Sequence, residues 1–445
     1  MLSIIQTLSR LAVLGVTLLA ACEPAAMSRY RRSLGDASRA QPVRFDEDPF
    51  AGAAVLERRA LIEAVLARNP DIDAARAAWR RSLARIPQES AFDDPMVSYS
   101  IAPLSIASDA PFGQRIEIEQ KLPITSRRSL AAEVALAEAD AARDNTEAVR
   151  LRLAAMASTL FDDYYVAERA LEVDAHHRGL LEQMRASAEA QYTAGRASQQ
   201  DPLQADVELA MIDREKLMHE TERKVVVAQI NGLLHRDPGA TLPSPPKQLL
   251  APASAALDER ALLEIALRER PELRGQDARI RRGVAARKLA DRAAWPDVGV
   301  MASYDSMWDM PEHRWMVGLS VEVPLARGRR DAARDEAEAD TDEAKFMRER
   351  MADEIRVEVR TAIERVAEAR AALALYEKRM LPAARAQVDA ARAGFIADQN
   401  EFQSVITAER SLRHVTLDIE RARADVHRRL AELDRAIGRI PGGAK

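Results

Sequence analysis

The chain holds one cysteine, Cys22, in 445 residues, which excludes disulfides within the chain and thiolate metal clusters. Aromatic residues make up only 4% of it, too few for a series of conventional globular cores. Charge of one sign is not in excess: 65 Lys and Arg stand against 70 Asp and Glu, and the net −5 gives no reason to expect a nucleic-acid partner. No Ser/His/Asp constellation, HExxH or GxxxxGK[ST] is found, so nothing reads as enzymatic and no cofactor is implied. Long apolar runs are missing too, apart from LAVLGVTLLA at residues 11–20.

That run follows Arg10, is too short to span a bilayer as a mature helix, and leads into Leu19-Ala20-Ala21-Cys22. It reads as a signal peptide over residues 1–21. Its last four residues resemble the bacterial lipoprotein signal, in which Cys22 would be lipidated and become the first mature residue. An ordinary signal peptide with a chance cysteine is the alternative. Glu23 follows the cysteine where an inner-membrane retention signal would have Asp, so outer-membrane anchoring is the expected fate. Residues 22–56 would then form a lipidated, extended segment.

What the chain has in abundance is Ala, Glu, Arg and Leu. From Ile124 to Asp201 it runs without a proline, the composition of a long helix, which at about 65 residues and 1.5 Å per residue would be roughly 100 Å long. Just before it, RIEIEQKL places Ile116, Ile118 and Leu122 opposite Arg115, Glu117, Glu119 and Lys121, the period of two of a strand with one wet face. Three other stretches alternate likewise, and strands are expected at about 95–104, 114–122, 296–305 and 314–323. The length and alternation suit a tilted membrane strand, apolar toward lipid and polar toward a lumen. A soluble antiparallel sheet with one face on a core has the same alternation, but the flanking helices offer no compact core to receive it. Four strands cannot close a membrane barrel, so several copies must share one.

The sequence is also written twice. LIEAVLARNPDI (61–72) returns as LLEIALRERPEL (262–273), and Pro70, Pro95 and Pro123 recur 201 positions on as Pro271, Pro296 and Pro324. AQYTAGRASQQDPLQADVEL (190–209) lines up with AGFIADQNEFQSVITAERSL (393–412). The expected layout is a first repeat over 57–240, a Pro- and Ser-rich linker over 241–256, a second repeat over 257–440 and a tail over 441–445. Each repeat would have a helix (57–86 and 258–293, the latter capped by Asp258), two strands, a long helix and a returning helix. A weakness is expected at Gly179 and at Pro382, at matching places in the two long helices.

The two helices ending in Asn-Pro-Asp and Arg-Pro-Glu carry a resemblance, together with QKLP and VEVP followed by paired arginines, and Tyr-x-x-Gly in YTAGRASQQDPLQAD. On these the chain, from about 57 to 440, resembles the TolC-like outer-membrane efflux proteins, the outer membrane factors of tripartite pumps and type I secretion. The resemblance implies a mainly α fold with a small membrane β part: a long antiparallel α-helical coiled-coil barrel, and four strands per protomer in a shared twelve-stranded β-barrel. It implies a homotrimer in the outer membrane, extending into the periplasm and working with a periplasmic adaptor (membrane fusion) protein and an inner-membrane pump. A periplasmic coiled-coil adaptor or other bridging protein is the alternative, though adaptors usually carry one long hairpin and compact β domains.

By the Tyr-x-x-Gly match, the turns Tyr192–Asp201 and Phe395–Ser404 would form the periplasmic tip. Asp201 falls where the family motif has its aspartate, whereas Asp398 replaces the glycine in the second repeat and Ser404 and Thr407 stand where relatives often carry gate aspartates. Asp398 and Glu401, with Asp201, are candidates for an acidic gate ring. The plainer reading, as solvated turn residues or helix N-caps, carries more weight. Arg196, Gln199 and Asn400 are candidate adaptor contacts. Met301, Met307, Met310, Met316 and His313 gather near the last two strands, where soft ligands suggest copper or silver, but methionine as filler is the preferred reading. His176 and His177, mid-helix without a partner motif, read as solvated. The cargo, whether drug, metal ion or polypeptide, is not encoded in any of these features.

Overall fold

The computed structural model describes residues 25–38, 48–103, 105, 112–122, 126–250, 257–397 and 399–442. Cys22, Pro123, Asp398 and linker residues 251–256 lie outside them. The elements run α1 (Ala25–Ser38), α2 (Arg58–Arg68), α3 (Pro70–Ser90), β1 (Met96–Ala102), β2 (Gly113–Leu122), α4 (Arg127–Thr193) and α5 (Gln200–Leu233). They continue with α6 (Glu259–Glu269), α7 (Pro271–Arg292), β3 (Asp297–Asp305), β4 (Trp315–Glu322), α8 (Arg327–Leu375), α9 (Leu381–Ile396) and α10 (Phe402–Ala436). The same order of helix pair, strand hairpin, long helix and returning helix thus appears twice. The mostly helical fold with four strands is the one expected.

Three local expectations are corrected. The helices expected at 57–86 and 258–293 are each two helices, because the residue before a proline is pushed out of the α region. Asn69 (ψ 125°) and Arg270 (ψ 119°) are accordingly extended before Pro70 and Pro271. Asn69 secures its corner by accepting from the Asp71 N–H at 3.0 Å and donating to the Leu233 carbonyl at 2.9 Å. Residues 25–38, expected to be extended, form α1, whose Ala26 and Ala37 are buried against Leu83, Ile86, Ala132 and Leu136. Finally, Gly179 does not interrupt α4, since glycine in a helix costs only about 1 kcal/mol while proline removes a hydrogen bond and clashes with the preceding turn. Only the second long helix is altered, widening into a π-turn at Tyr376–Met380 immediately before Pro382.

Asp258 does cap α6, its carboxylate accepting from the backbone N–H groups of Arg260 (3.0 Å) and Ala261 (3.3 Å).

The chain forms two compact units, each drawing on both repeats. One is built from the described residues within 1–41, 74–146 and 272–351, and the other from those within 42–73, 147–271 and 352–445. The first contains one antiparallel sheet in the order β1-β2-β3-β4. The second has a core of Leu61, Val65, Ile72, Phe161, Tyr165, Ile230 and Leu234. Arg58 reaches into this core to pair with fully buried Asp162 at 2.6 Å, its guanidinium lying 4.7 Å from the centre of the Phe161 ring. No described helix is long and apolar enough to cross a membrane.

Candidate functional site

The register sorts the four strands into two faces. Val97, Ile118, Ala302 and Val317 lie in one row across the sheet, and Tyr99, Ile116, Tyr304 and Trp315 in the next. Val300 with Leu319 and Leu122 with Val298 and Val321 extend the same apolar face. Nothing among the described residues covers it: Val97 is 65% exposed, Val317 86% and Leu319 74%. The opposite face presents Ser98, Ser100, Arg115, Glu117, Glu119, Lys121, Ser303 and Glu322. Its polar groups answer one another, across strands where Ser320 Oγ donates to Glu119 at 2.7 Å and Lys121 pairs with Glu322 at 3.2 Å, and along β2 where Arg115 pairs with Glu117. Of the methionines, Met301 lies over Gly318 and Met307 against Gly113, filling space that a side chain would otherwise occupy. That is the filler role preferred from the sequence.

At the first helical turn, Gly195 sits at φ +71°, closed by Arg196 N–H donating to Gln191 O at 2.9 Å and Gly195 N–H to Tyr192 O at 2.9 Å. Such a helix end needs left-handed backbone, which is why the Tyr-x-x-Gly motif carries glycine there. The second turn is built differently. Gln399 (2.8 Å) and Asn400 (3.2 Å) donate their backbone N–H groups to Gly394 O, and the Asn400 side chain occupies the space where a Cβ at 394 would lie. Phe395 and Phe402 stack across this turn with centroids 5.7 Å apart. Phe402 and Ile406 then bury themselves with Leu181, Ala188, Ala205 and Ile212, joining the two turns in one cluster.

Asp201 and Glu401 are brought close enough to interact: burial first, and then the Glu401 carboxylate, raises Asp201 above its ordinary value. Glu401 precedes α10 in the N-cap position without a side-chain capping bond. Arg196, Gln199 and Asn400 are all exposed. Asp398, the third gate candidate, lies outside the described residues.

A buried polar cluster above this tip has no counterpart in the motifs. Asp174 on α4, fully buried, accepts from Arg413 of α10 at 3.1 Å and stands 2.7 Å from His219 Nδ1 of α5. Arg413 also pairs with Glu215, and Arg410 with Glu208. The reading of His177 as solvated is wrong: it is only 6% exposed. Burial, followed by the charges of Arg413, His176, His414 and Arg392, pushes it down to about 4.

Residues 262–439, within the second repeat, match the family model described as outer membrane efflux protein. Solved structures of the same fold span nearly all of the chain. The outer-membrane channel OprN matches with TM-score 0.73 and 19% identity, over 89% of this chain and 98% of that one. The outer membrane protein VceC of Vibrio cholerae gives 0.72 and 17%, over 86% and 96%. The open MtrE channel of Neisseria gonorrhoeae gives 0.71 and 17%, over 86% and 89%. At such identities the likeness is one of fold. No curated protein matches the sequence.

Proposed function

We propose that this chain is an outer-membrane efflux protein, three copies of which assemble into one duct, giving four strands each to a twelve-stranded barrel and their helices to a periplasmic tube. The observation that carries this is the open sheet with its greasy face uncovered. In a bilayer, one copy alone would leave the outer-edge N–H and C=O groups of β1 and β4 unpaired in hydrocarbon, at several kcal/mol each. Pooling edges with sister copies pairs those groups, sets Val97, Val317 and Leu319 against lipid, and turns Arg115, Glu117, Glu119 and Lys121 toward a water-filled lumen. The number three follows the family resemblance.

In this reading the duct does no chemistry. Substrates leave passively through it, driven by an inner-membrane pump that a periplasmic adaptor joins to the tip, with Arg196, Gln199 and Asn400 as the contacts their exposure makes available. Asp201, Glu401 and Asp398 form the acidic ring at the constriction, and acyl chains on Cys22 hold the N-terminus at the outer membrane. Heat-modifiable trimers in outer-membrane fractions, with conductance of the purified protein in planar bilayers, are the expected results; a freely soluble monomer without conductance refutes the duct. Charge reversal at Asp398 and Glu401 should abolish cation preference, and labelled palmitate should enter the native chain but not Cys22→Ser.

A further inference from the structure

The cluster above the tip contains a group that the duct itself does not need. His177 projects from α4 into a cavity of about 100 Å3 lined also by Glu208 and Glu215 of α5 and by Arg410, Arg413 and His414 of α10. This is where the returning helix of the second repeat is fastened to the hairpin of the first, through Arg413 to Asp174 and Glu215 and through Arg410 to Glu208.

The carboxylates around the cavity are already engaged. Asp174 is shared between Arg413 and His219, Glu215 is held by Arg413, and Glu208 by Arg410. Arg392 of α9, which also bears on His177, pairs with Glu409 of α10. His176 and His414 add further basic groups on α4 and α10. Among the described residues these carboxylates are bonded to the arginines, so a proton placed on His177 would sit buried beside the guanidinium charges of Arg413 and Arg392, which oppose it.

We propose that His177 is an acid-sensitive wedge: its protonation loosens α10 from the α4–α5 hairpin and biases the tip toward its open form. The inference rests on the duct reading and adds its regulation. The helix geometry favours a movement of this kind, because α9, the helix that precedes α10 in the chain, begins at the π-turn beside Pro382. A widened turn next to a proline is a ready place for a helix to bend.

The sign follows from linkage. His177 is held down from its ordinary 6.5 to about 4 in the closed packing, so that packing is favoured above 6.5 and loses ground as pH falls through this window. If opening returns the imidazole to its ordinary value, the open-to-closed ratio rises on the order of 20-fold per protomer between pH 7 and pH 5.

The test uses full-length protein reconstituted in planar bilayers, with open probability read at pH 7 and pH 5 for the native chain, His177→Gln and His177→Lys. Heat-modifiable trimer content establishes that each variant is assembled. The native channel should open more at pH 5, His177→Gln should lose that rise, and His177→Lys should be open at both. An equal rise in native and His177→Gln channels, or no rise in the native one, overturns the wedge; if the Lys variant does not assemble, the native and Gln pair still decides. Assembled trimers that conduct at neither pH in any variant would instead defeat the duct.

Discussion

Consider Leu319→Arg. Leu319 lies in the middle of β4, opposite Val300, flanked on its face by Val317 and Val321, and is 74% exposed in the single chain. Were this face in contact with water, an exposed Leu-to-Arg change would alter stability by no more than about 0.5 kcal/mol. Were it against the hydrocarbon midplane, the change would cost roughly 2–4 kcal/mol per copy, or about 6–12 kcal/mol for a trimer, as large as the whole stability of an ordinary domain. Ser98→Arg is the control. It stands on the polar face opposite Glu117, where a new cation is near neutral or slightly favourable. Both variants are folded into lipid vesicles and the assembled, heat-modifiable fraction is followed against urea. Leu319→Arg should fold poorly or melt at far lower urea while Ser98→Arg tracks the native protein. Equal midpoints for the two would refute the lipid-facing assignment, and the barrel with it.

Three further outcomes are expected. Arg58→Ala strands the Asp162 carboxylate, which burial raises above its ordinary value even with Arg58 present; loss of about 3–5 kcal/mol is expected in denaturant melts, partly restored by adding Asp162→Asn. Gly195→Ala meets nothing within 4 Å, so its cost is purely that of the φ +71° backbone, about 1–2 kcal/mol, read as faster proteolysis at the 193–200 turn. Burial raises Asp434 from 3.8 to about 6. Its folded form therefore binds the proton more tightly, and stability falls as pH rises through that interval. Asp434→Asn should raise the melting temperature at pH 8 and leave it nearly unchanged at pH 3.5.

The legible parts of this fold are those in which one local signal has one physical cause. Alternation placed Ile116 and Ile118 on one face and Glu117 and Glu119 on the other, because side-chain direction in a strand depends on nothing beyond position along it. Gly195 was legible for the same reason, since a left-handed helix end tolerates few other residues. Pro70 and Pro271 stand in plain view inside continuous helical patterns, and the break lies in the residues before them, Asn69 and Arg270, which proline holds extended. Helix α1 gave little signal because it packs through Ala26 and Ala37, whose small side chains mark no apolar stripe. The candidate site was legible only at its edges. Tyr192 and Asp201 follow a motif, but the reason for glycine at 394 is a side chain six residues away, Asn400, folded back over it. The cluster of Asp174, His219 and Arg413 joins positions separated by 45 and 239 residues, and three His-bearing helices with ordinary composition say nothing about which imidazole will be buried. Pairing of β2 with β3 likewise joins strands from different repeats, Ile116 with Tyr304 and Ile118 with Ala302. Duplication predicts that the two hairpins are alike, and only the geometry of the assembled sheet decides that they lie edge to edge. The pairing satisfies one edge of each hairpin and leaves the outer edges of β1 and β4 without a strand partner among the described residues.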